Sequence, residues 1–258
     1  MTTLLIDIGN SRIKWTLLRG TRLGRQQVLP LQGNGAAAFT ALSARAGKAT
    51  AVLAVSVAGQ TRERTLARCL KAAGLPPPHF IASSPEAGGV RNAYRDVWRL
   101  GADRWVAAIG AWHEAGQRHP VCVIDIGTAT TVDVVDAAGM HQGGLIAPGP
   151  SLMVSSLLKG TRGIAVRVQG SRRRDHSPLA TDTRNAILAG ALEASAALIE
   201  RCARQARQLH GRGTRVYLTG GGAAAVAPLL TLDCTVLPDL VLRGLAVFAR
   251  NAGPTPDC

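Results

Sequence analysis

Over residues 12–18 the apolar Ile13, Trp15 and Leu17 interleave with Arg12, Lys14 and Thr16. A period of two marks a strand with one buried face. Residues 3–8 just before it are apolar apart from Thr3 and Asp7, and Gly-Asn-Ser joins the two segments. The pattern predicts a strand hairpin. Residues 51–57, Ala-Val-Leu-Ala-Val-Ser-Val, are almost continuously apolar, as expected of a central strand covered on both faces. The period then changes. Residues 61–74 carry apolar positions at helical spacing and end at Gly74, with three prolines from Pro76 that a helix cannot continue through. Residues 101–116 predict a second helix, closed by Gly116.

After the polar stretch 117–120 the pattern restarts. Residues 121–126 and 130–135 read as a second strand pair around Gly-Thr-Ala. A third strand runs into the glycine- and proline-rich Gly143-Gly-Leu-Ile-Ala-Pro-Gly149, and a helix is expected from near Ser151. Residues 180–209 predict a long helix rich in Ala, Leu and Ile, and 215–223 a strand entering a glycine loop and helix. The restart divides the chain into halves at 1–118 and 119–258. Each half opens alike, with LIDIGNSRI at 5–13 and VIDIGTATT at 123–131. The shared Ile-Asp-Ile-Gly points to duplication, so the expected fold class is α/β with two related halves.

Composition adds limits. A chain of 258 residues that is 47% hydrophobic can bury a substantial core, and with 3% aromatics that core must be Val, Leu, Ile and Ala. The net charge of +14 raises the question of nucleic acid or anionic substrates. The arginines are dispersed, however, and the one run, Arg172–Arg174, has no interleaved aromatics. Solvated faces explain the charge, and a nucleic-acid partner is not expected. Five cysteines without a Cys-x-x-Cys pair make neither a disulfide framework nor a zinc pattern. The six histidines have no metal-ligand spacing and read as surface or local hydrogen-bonding groups. No segment reads as a membrane span or a leader, so a cytoplasmic protein with reduced thiols is expected.

The chemistry lies in the repeat. Glycine at a bend lets the backbone approach a ligand closely, and successive N–H groups there can cradle an anion. Asn10, Ser11, Thr128 and Thr130 add side-chain donors, and Asp7 and Asp125 sit where a carboxylate can hold a cation. Two such bends suit a polyphosphate and phosphoryl transfer, in which positioning and charge neutralisation carry most of the catalysis.

Four segments, DIGNSRIK at 7–14, GADRW at 101–105, DIGTATTVD at 125–133 and GGLIAPG at 143–149, together resemble the type III pantothenate kinases, also called the Bvg accessory factor family. With the late LTGGGA at 218–223 they also resemble the wider superfamily of acetate and sugar kinases, actin and heat-shock chaperone ATPases. The resemblance implies two ribonuclease H-like halves of the actin-like ATPase fold with a cleft between them. It implies phosphorylation of pantothenate by ATP with Mg2+, and a homodimer. Carried over residue by residue, Asp7, Ile8, Gly9, Asn10, Ser11, Arg12, Ile13 and Lys14 grip ATP phosphates, with Thr128 on the second bend. Asp103 matches the general base. Tyr94, Gly101, Ala102, Asp103, Arg104 and Thr183 match the pantothenate site, with Thr181 close enough to compete with Thr183. Asp125 matches the ligand of a monovalent cation, K+ or NH4+.

Read without the resemblance, several of these residues have plainer roles. Asp103 would stabilise a helix start, Arg104 would form a surface ion pair, and Tyr94 would pack in the core. Lys14, on an outward strand face, would be solvated, as would Asp133 and Asp136. Two other functions compete: a non-catalytic transcriptional accessory factor of the same fold, and another small-molecule kinase or a phosphatase of the superfamily. A regulator freed from catalysis would have no need to keep Asp7, Asp103 and Asp125 together, and the GADR segment speaks against the other enzymes.

Overall fold

A computed structural model describes residues 1–160 and 179–251; the Arg172–Arg174 run and Cys258 lie outside the described residues. In chain order the strands are β1 (Thr2–Ile8), β2 (Arg12–Arg19), β3 (Arg22–Leu23), β4 (Gln27–Pro30), β5 (Ala51–Ser56), β6 (Pro78–Phe80), β7 (Glu86–Ala87) and β8 (Val90–Arg91). They continue with β9 (Val121–Ile126), β10 (Ala129–Val135), β11 (His141–Pro148), β12 (Arg215–Thr219) and β13 (Thr235–Val236). The helices are α1 (Ala36–Arg45), α2 (Gln60–Ala72), α3 (Ala102–Glu114), α4 (Pro150–Gly160), α5 (Thr183–His210), α6 (Ala223–Val226) and α7 (Leu240–Asn251).

The duplication read from Ile-Asp-Ile-Gly is a duplication of topology. One sheet has the order β3-β2-β1-β5-β6, the other β11-β10-β9-β12-β13. In the first, β3 pairs with Leu18 and Arg19 of β2 while β4 pairs with Arg12–Trp15, so the two short strands act as one interrupted strand. Both sheets therefore run third, second, first, fourth, fifth. In each, the first strand pairs in parallel with the fourth. This is the duplicated α/β fold that the motifs lead one to expect.

The chain groups into two compact units. One comprises Met1–His119, Val135–Gly143 and the segment from Asp239 on; the other comprises Pro120–Val134 and Gly144–Pro238. The periodicity places a single division between 118 and 119, whereas the chain returns twice to the first unit after His119. The last return has a visible cause, because α7 packs on α3 and on β1, β2 and β5.

In the first unit Leu4, Ile6, Ile8, Ile13 and Trp15 of the hairpin pack with Phe39 and Leu42 of α1 and Leu66 and Leu70 of α2. Leu5 and Val55, on the alternate face, are also buried, and α3 and α7 cover these strands. Cover on both faces explains why β5 is almost continuously apolar. Each such Leu, Ile or Phe contributes about 1.5–3 kcal/mol of burial.

In the second unit Cys122, Ile124 and Ile126 of β9 pack with Val216 and Leu218 of β12 and with Ala196, Ile199 and Ala203 of α5. Helix α5 starts at Thr183 rather than 180 because the Asp182 side chain caps it, accepting the Asn185 N–H at 3.0 Å. That N–H and then the Asn185 side-chain amide hold the Asp182 carboxyl below its ordinary pKa. Cys69, Cys122, Cys202 and Cys234 are free thiols. Burial, with Cys202 adding to it, pushes the Cys122 thiol up to about 12, so it stays protonated and inert. No helix among the described residues is long and apolar enough to cross a membrane.

Candidate active site

The first bend lies at the carboxyl end of β1. Asp7 faces Lys14 and Ile8 faces Ile13 across the hairpin, and the Gly9 N–H donates to the Arg12 carbonyl at 3.0 Å. Asn10, Ser11 and Arg12 are exposed. Ile8 and Ile13 are 0% exposed, so their side chains belong to the core and only their main chain is available at the bend. Lys14 is not the solvated lysine that an outward strand face implies. Its side chain is 16% exposed and its Nζ lies 3.7 Å from Asp7 Oδ2, so an ammonium and a carboxylate stand together at the root of the bend. Parallel pairing of β5 with β1 brings Val57 there too, its N–H on the Ile8 carbonyl at 3.2 Å. Helix α2 follows at once, from Gly59.

The second bend lies at the carboxyl end of β9 and is one residue shorter. Residues 127 and 128 separate the strands, against 9–11 in the first. Thr128 is exposed, and its carbonyl accepts the Gly149 N–H at 2.9 Å. A Cβ on Gly149 would overlap the Gly127 carbonyl, which accounts for the glycine ending GGLIAPG. The late glycine loop is more than the start of a helix. Gly220, at φ +89, leaves no room for a Cβ beside Asp125 Oδ1, and the Gly222 N–H bonds the Ile126 carbonyl at 2.8 Å.

Thr219 pairs in register with Asp125 on the neighbouring parallel strand, so the two side chains share a face. Thr219 is 0% exposed, and its hydroxyl has no hydrogen-bond partner among the described residues. A carboxylate next to an unsatisfied neutral hydroxyl is a donor set of the kind hard cations take. The same face carries a correction: Asp133, expected to be solvated, is 2% exposed, because β10 is covered there as well.

The third group gathers at the start of α3. Gly101 precedes the helix, and Ala102 and the half-buried Asp103 form its first turn. Asp103 Oδ1 accepts the Arg104 N–H at 2.8 Å. Any Cβ on Gly101 would stand 2.8 Å from that oxygen, so glycine keeps the carboxylate uncrowded. Arg104 is 7% exposed, and its Nη1 donates to the Tyr94 hydroxyl at 3.2 Å. It is therefore not a surface ion pair, and Tyr94 is not simply core. Tyr94 is held from behind by Asn92 Oδ1 on its N–H at 3.0 Å and stacks at 5.9 Å on His141. His141 is 0% exposed, so of the two roles read for the histidines, surface or local hydrogen bonding, the surface one does not apply to it, and no sequence spacing signals its place beside Tyr94.

Asp7 with Lys14, and Tyr94 with Asp103 and Arg104, are thus assembled as two groups in the first unit, while Asp125 and Thr128 share the second bend region. Thr183 is the half-buried first residue of α5, and Thr181 is exposed two residues earlier. Chemically the arrangement offers bends rich in backbone donors, a carboxylate able to accept a proton and a buried guanidinium shaped for a carboxylate.

Comparison with known proteins supplies the family. The family description that matches is type III pantothenate kinase, over residues 3–205. A type III pantothenate kinase of Janthinobacterium sp. is 40% identical, with 98% of this chain and 99% of that one covered. One from Herminiimonas arsenicoxydans is 39% identical over 98% of this chain and 99% of the other. Among solved structures, one from Campylobacter jejuni, assigned to the Baf family of transcriptional activators, superimposes with a TM-score of 0.59 at 20% identity. It covers 96% of this chain and 98% of its own, a likeness that speaks for the fold alone. With a full-length match to its relatives and every one of its ordered motifs placed in the structure, the chain belongs to the type III pantothenate kinase family.

Proposed function

We propose that Asp103 is the general base of this enzyme, that Arg104 and Tyr94 hold its acceptor, and that the two glycine bends hold its nucleotide. The reaction is the family's: ATP and pantothenate give ADP and 4′-phosphopantothenate, the first step of coenzyme A biosynthesis. The observation that carries the assignment is the pairing of Asp103 with a 7% exposed Arg104 in one helical turn. A guanidinium fork is well shaped for a carboxylate, and pantothenate has one. With that carboxylate on Arg104, the primary hydroxyl passes its proton to Asp103 as its oxygen bonds the γ-phosphorus, and ADP leaves. N–H groups of the bend at 9–11 and the Lys14 ammonium stabilise the phosphate charge, with Thr128 on the second bend. Asp7 would be the carboxylate that holds Mg2+ at the first bend, and the ion would neutralise phosphate charge there. Thr183 is assigned to pantothenate, ahead of Thr181, because it is the less exposed of the two.

A monovalent cation, K+ or NH4+, would be held by Asp125, and the unsatisfied Thr219 hydroxyl fits a second ligand. Such an ion would supply positive charge beside the phosphates and offset the repulsion between them and the carboxylate. The reading is tested by ADP release with and without pantothenate, in potassium, ammonium or sodium-only buffer. Release that needs pantothenate and falls at least tenfold in sodium is expected, since one charged contact is worth that much. Release without pantothenate would overturn the acceptor, and equal rates in the three buffers would overturn the cation at Asp125.

The homodimer has its own support. Ala186, Gly190, Ala194 and Ala197 of α5 are exposed, while Ala191, Ser195, Ala196 and Ile199 are buried. The exposed positions recur every three or four residues, a second face on which another helix can approach closely. Pairing by a two-fold axis is the commonest solution. Ala194→Glu is expected to weaken association at least tenfold and to lower turnover with it, because two such glutamates would be buried without partners. Sedimentation alongside activity checks this; a fully active monomer at assay concentration would sink the idea.

A further inference from the structure

The bend at 9–11 is anchored by a residue that belongs to no recognised motif. Arg62, in the first turn of α2, donates from Nη1 to the Asn10 carbonyl at 2.9 Å and from Nε to the Gly33 carbonyl at 3.2 Å. On the other side, the Leu31 N–H donates to the Ser11 carbonyl at 2.9 Å. We infer that Arg62 is a positioning residue for the nucleotide phosphates, an inference that rests on the reading of the 9–11 bend as an ATP site.

In a trans peptide the C=O and the following N–H point in opposite directions. With the Asn10 carbonyl held by Arg62, the Ser11 N–H points away from Arg62. With the Ser11 carbonyl held by Leu31, the Arg12 N–H points away from Leu31. The two carbonyl anchors thus fix the direction of two successive donors at an exposed bend, which is what an anion cradle requires. Fixing them before the ligand arrives removes an ordering cost from binding.

Arginine suits this place better than lysine. The planar fork reaches two separate loops at once, at 10 and at 33, which ties the bend to a neighbour rather than to itself. Both partners are neutral carbonyls and neither cancels the guanidinium charge, which adds to the positive potential at the bend.

The test compares the parent with Arg62→Gln and Arg62→Lys in the full-length protein. Steady-state KM is measured for ATP and for pantothenate, together with equilibrium binding of a non-hydrolysable ATP analogue with Mg2+, and the melting temperature without ligand. Arg62→Gln is expected to raise the ATP KM and the analogue Kd by about tenfold to a hundredfold, the range for a lost charged hydrogen bond. The pantothenate KM should stay within about twofold, and Lys should fall between Gln and the parent. A merely structural role would move both KM values and the melting temperature together, and that result overturns the inference. So does analogue binding by Arg62→Gln as tight as the parent's. A parent that does not bind the analogue at all would instead overturn the ATP reading of the bend, and the inference with it.

Discussion

Asp103→Asn is expected to fold as the parent does and to lose turnover by about a hundredfold to ten-thousandfold, the usual contribution of a general base. The amide keeps the shape of the carboxylate, and its oxygen can still accept the Arg104 N–H that Asp103 Oδ1 accepts at 2.8 Å. The start of α3 therefore survives the change. What is lost is a group able to take the proton of a primary hydroxyl. The plainer role, an acidic residue in a first helical turn, makes a different forecast. It would remove only about 0.3–1 kcal/mol of stability and leave turnover alone. Circular dichroism, melting and ADP release with saturating pantothenate separate the two. Parent-like activity in a folded Asn variant would remove Asp103 from the mechanism.

The two hairpins were legible because their information is local. A period-two alternation, a glycine bend and a repeated tetrapeptide are all contained within nine residues, and β1–β2 and β9–β10 lie where those signals put them. Helices α2 and α3 were legible for the same reason, each with helical spacing closed by a glycine of positive φ, Gly74 and Gly116. The order of the motifs also carried the family and the fold class.

What was not legible depends on partners distant in sequence. Lys14 reads as solvated until the register shows Asp7 opposite it. Arg104 reads as a surface ion pair until Tyr94, ten residues away in an irregular loop, comes under its guanidinium. Arg62 lies 52 residues from Asn10, and nothing in its own helix hints at a bond to the bend. Asp133 and His141 were judged by residue type, whereas their burial is set by what covers β10 and the start of β11. Two helices also escaped. In α1 five of the ten residues are alanine and carry little periodic signal, and α7 opens with Leu-Val-Leu, an apolar run that periodicity alone cannot tell from a buried strand.

That second helix supports the remaining large effect. Where α3 crosses α7, Gly110 meets Gly244, and a Cβ on Gly110 would stand 2.7 Å from both the Gly244 nitrogen and the Leu240 carbonyl oxygen. A Cβ on Gly244 would overlap the Val106 carbonyl. The obstacles are backbone atoms, which cannot swing aside as a side chain would, so the helices themselves must part. Ordinarily Gly→Ala inside a helix stabilises by about 0.8–1 kcal/mol. Here the sign should reverse. Gly110→Ala is expected to lose about 1–3 kcal/mol, the usual cost of overpacking, and to lower the melting temperature by roughly 3–10 °C. Gly110→Val should exceed that and leave little folded protein at 37 °C. The same displacement reaches the chemistry, because the first turn of α3 carries Asp103 and Arg104 two turns before Gly110. In Gly110→Ala the pantothenate KM should therefore rise well before the protein melts. An Ala variant with a raised melting temperature would show that the crossing has slack, and that glycine is there for some reason other than close approach.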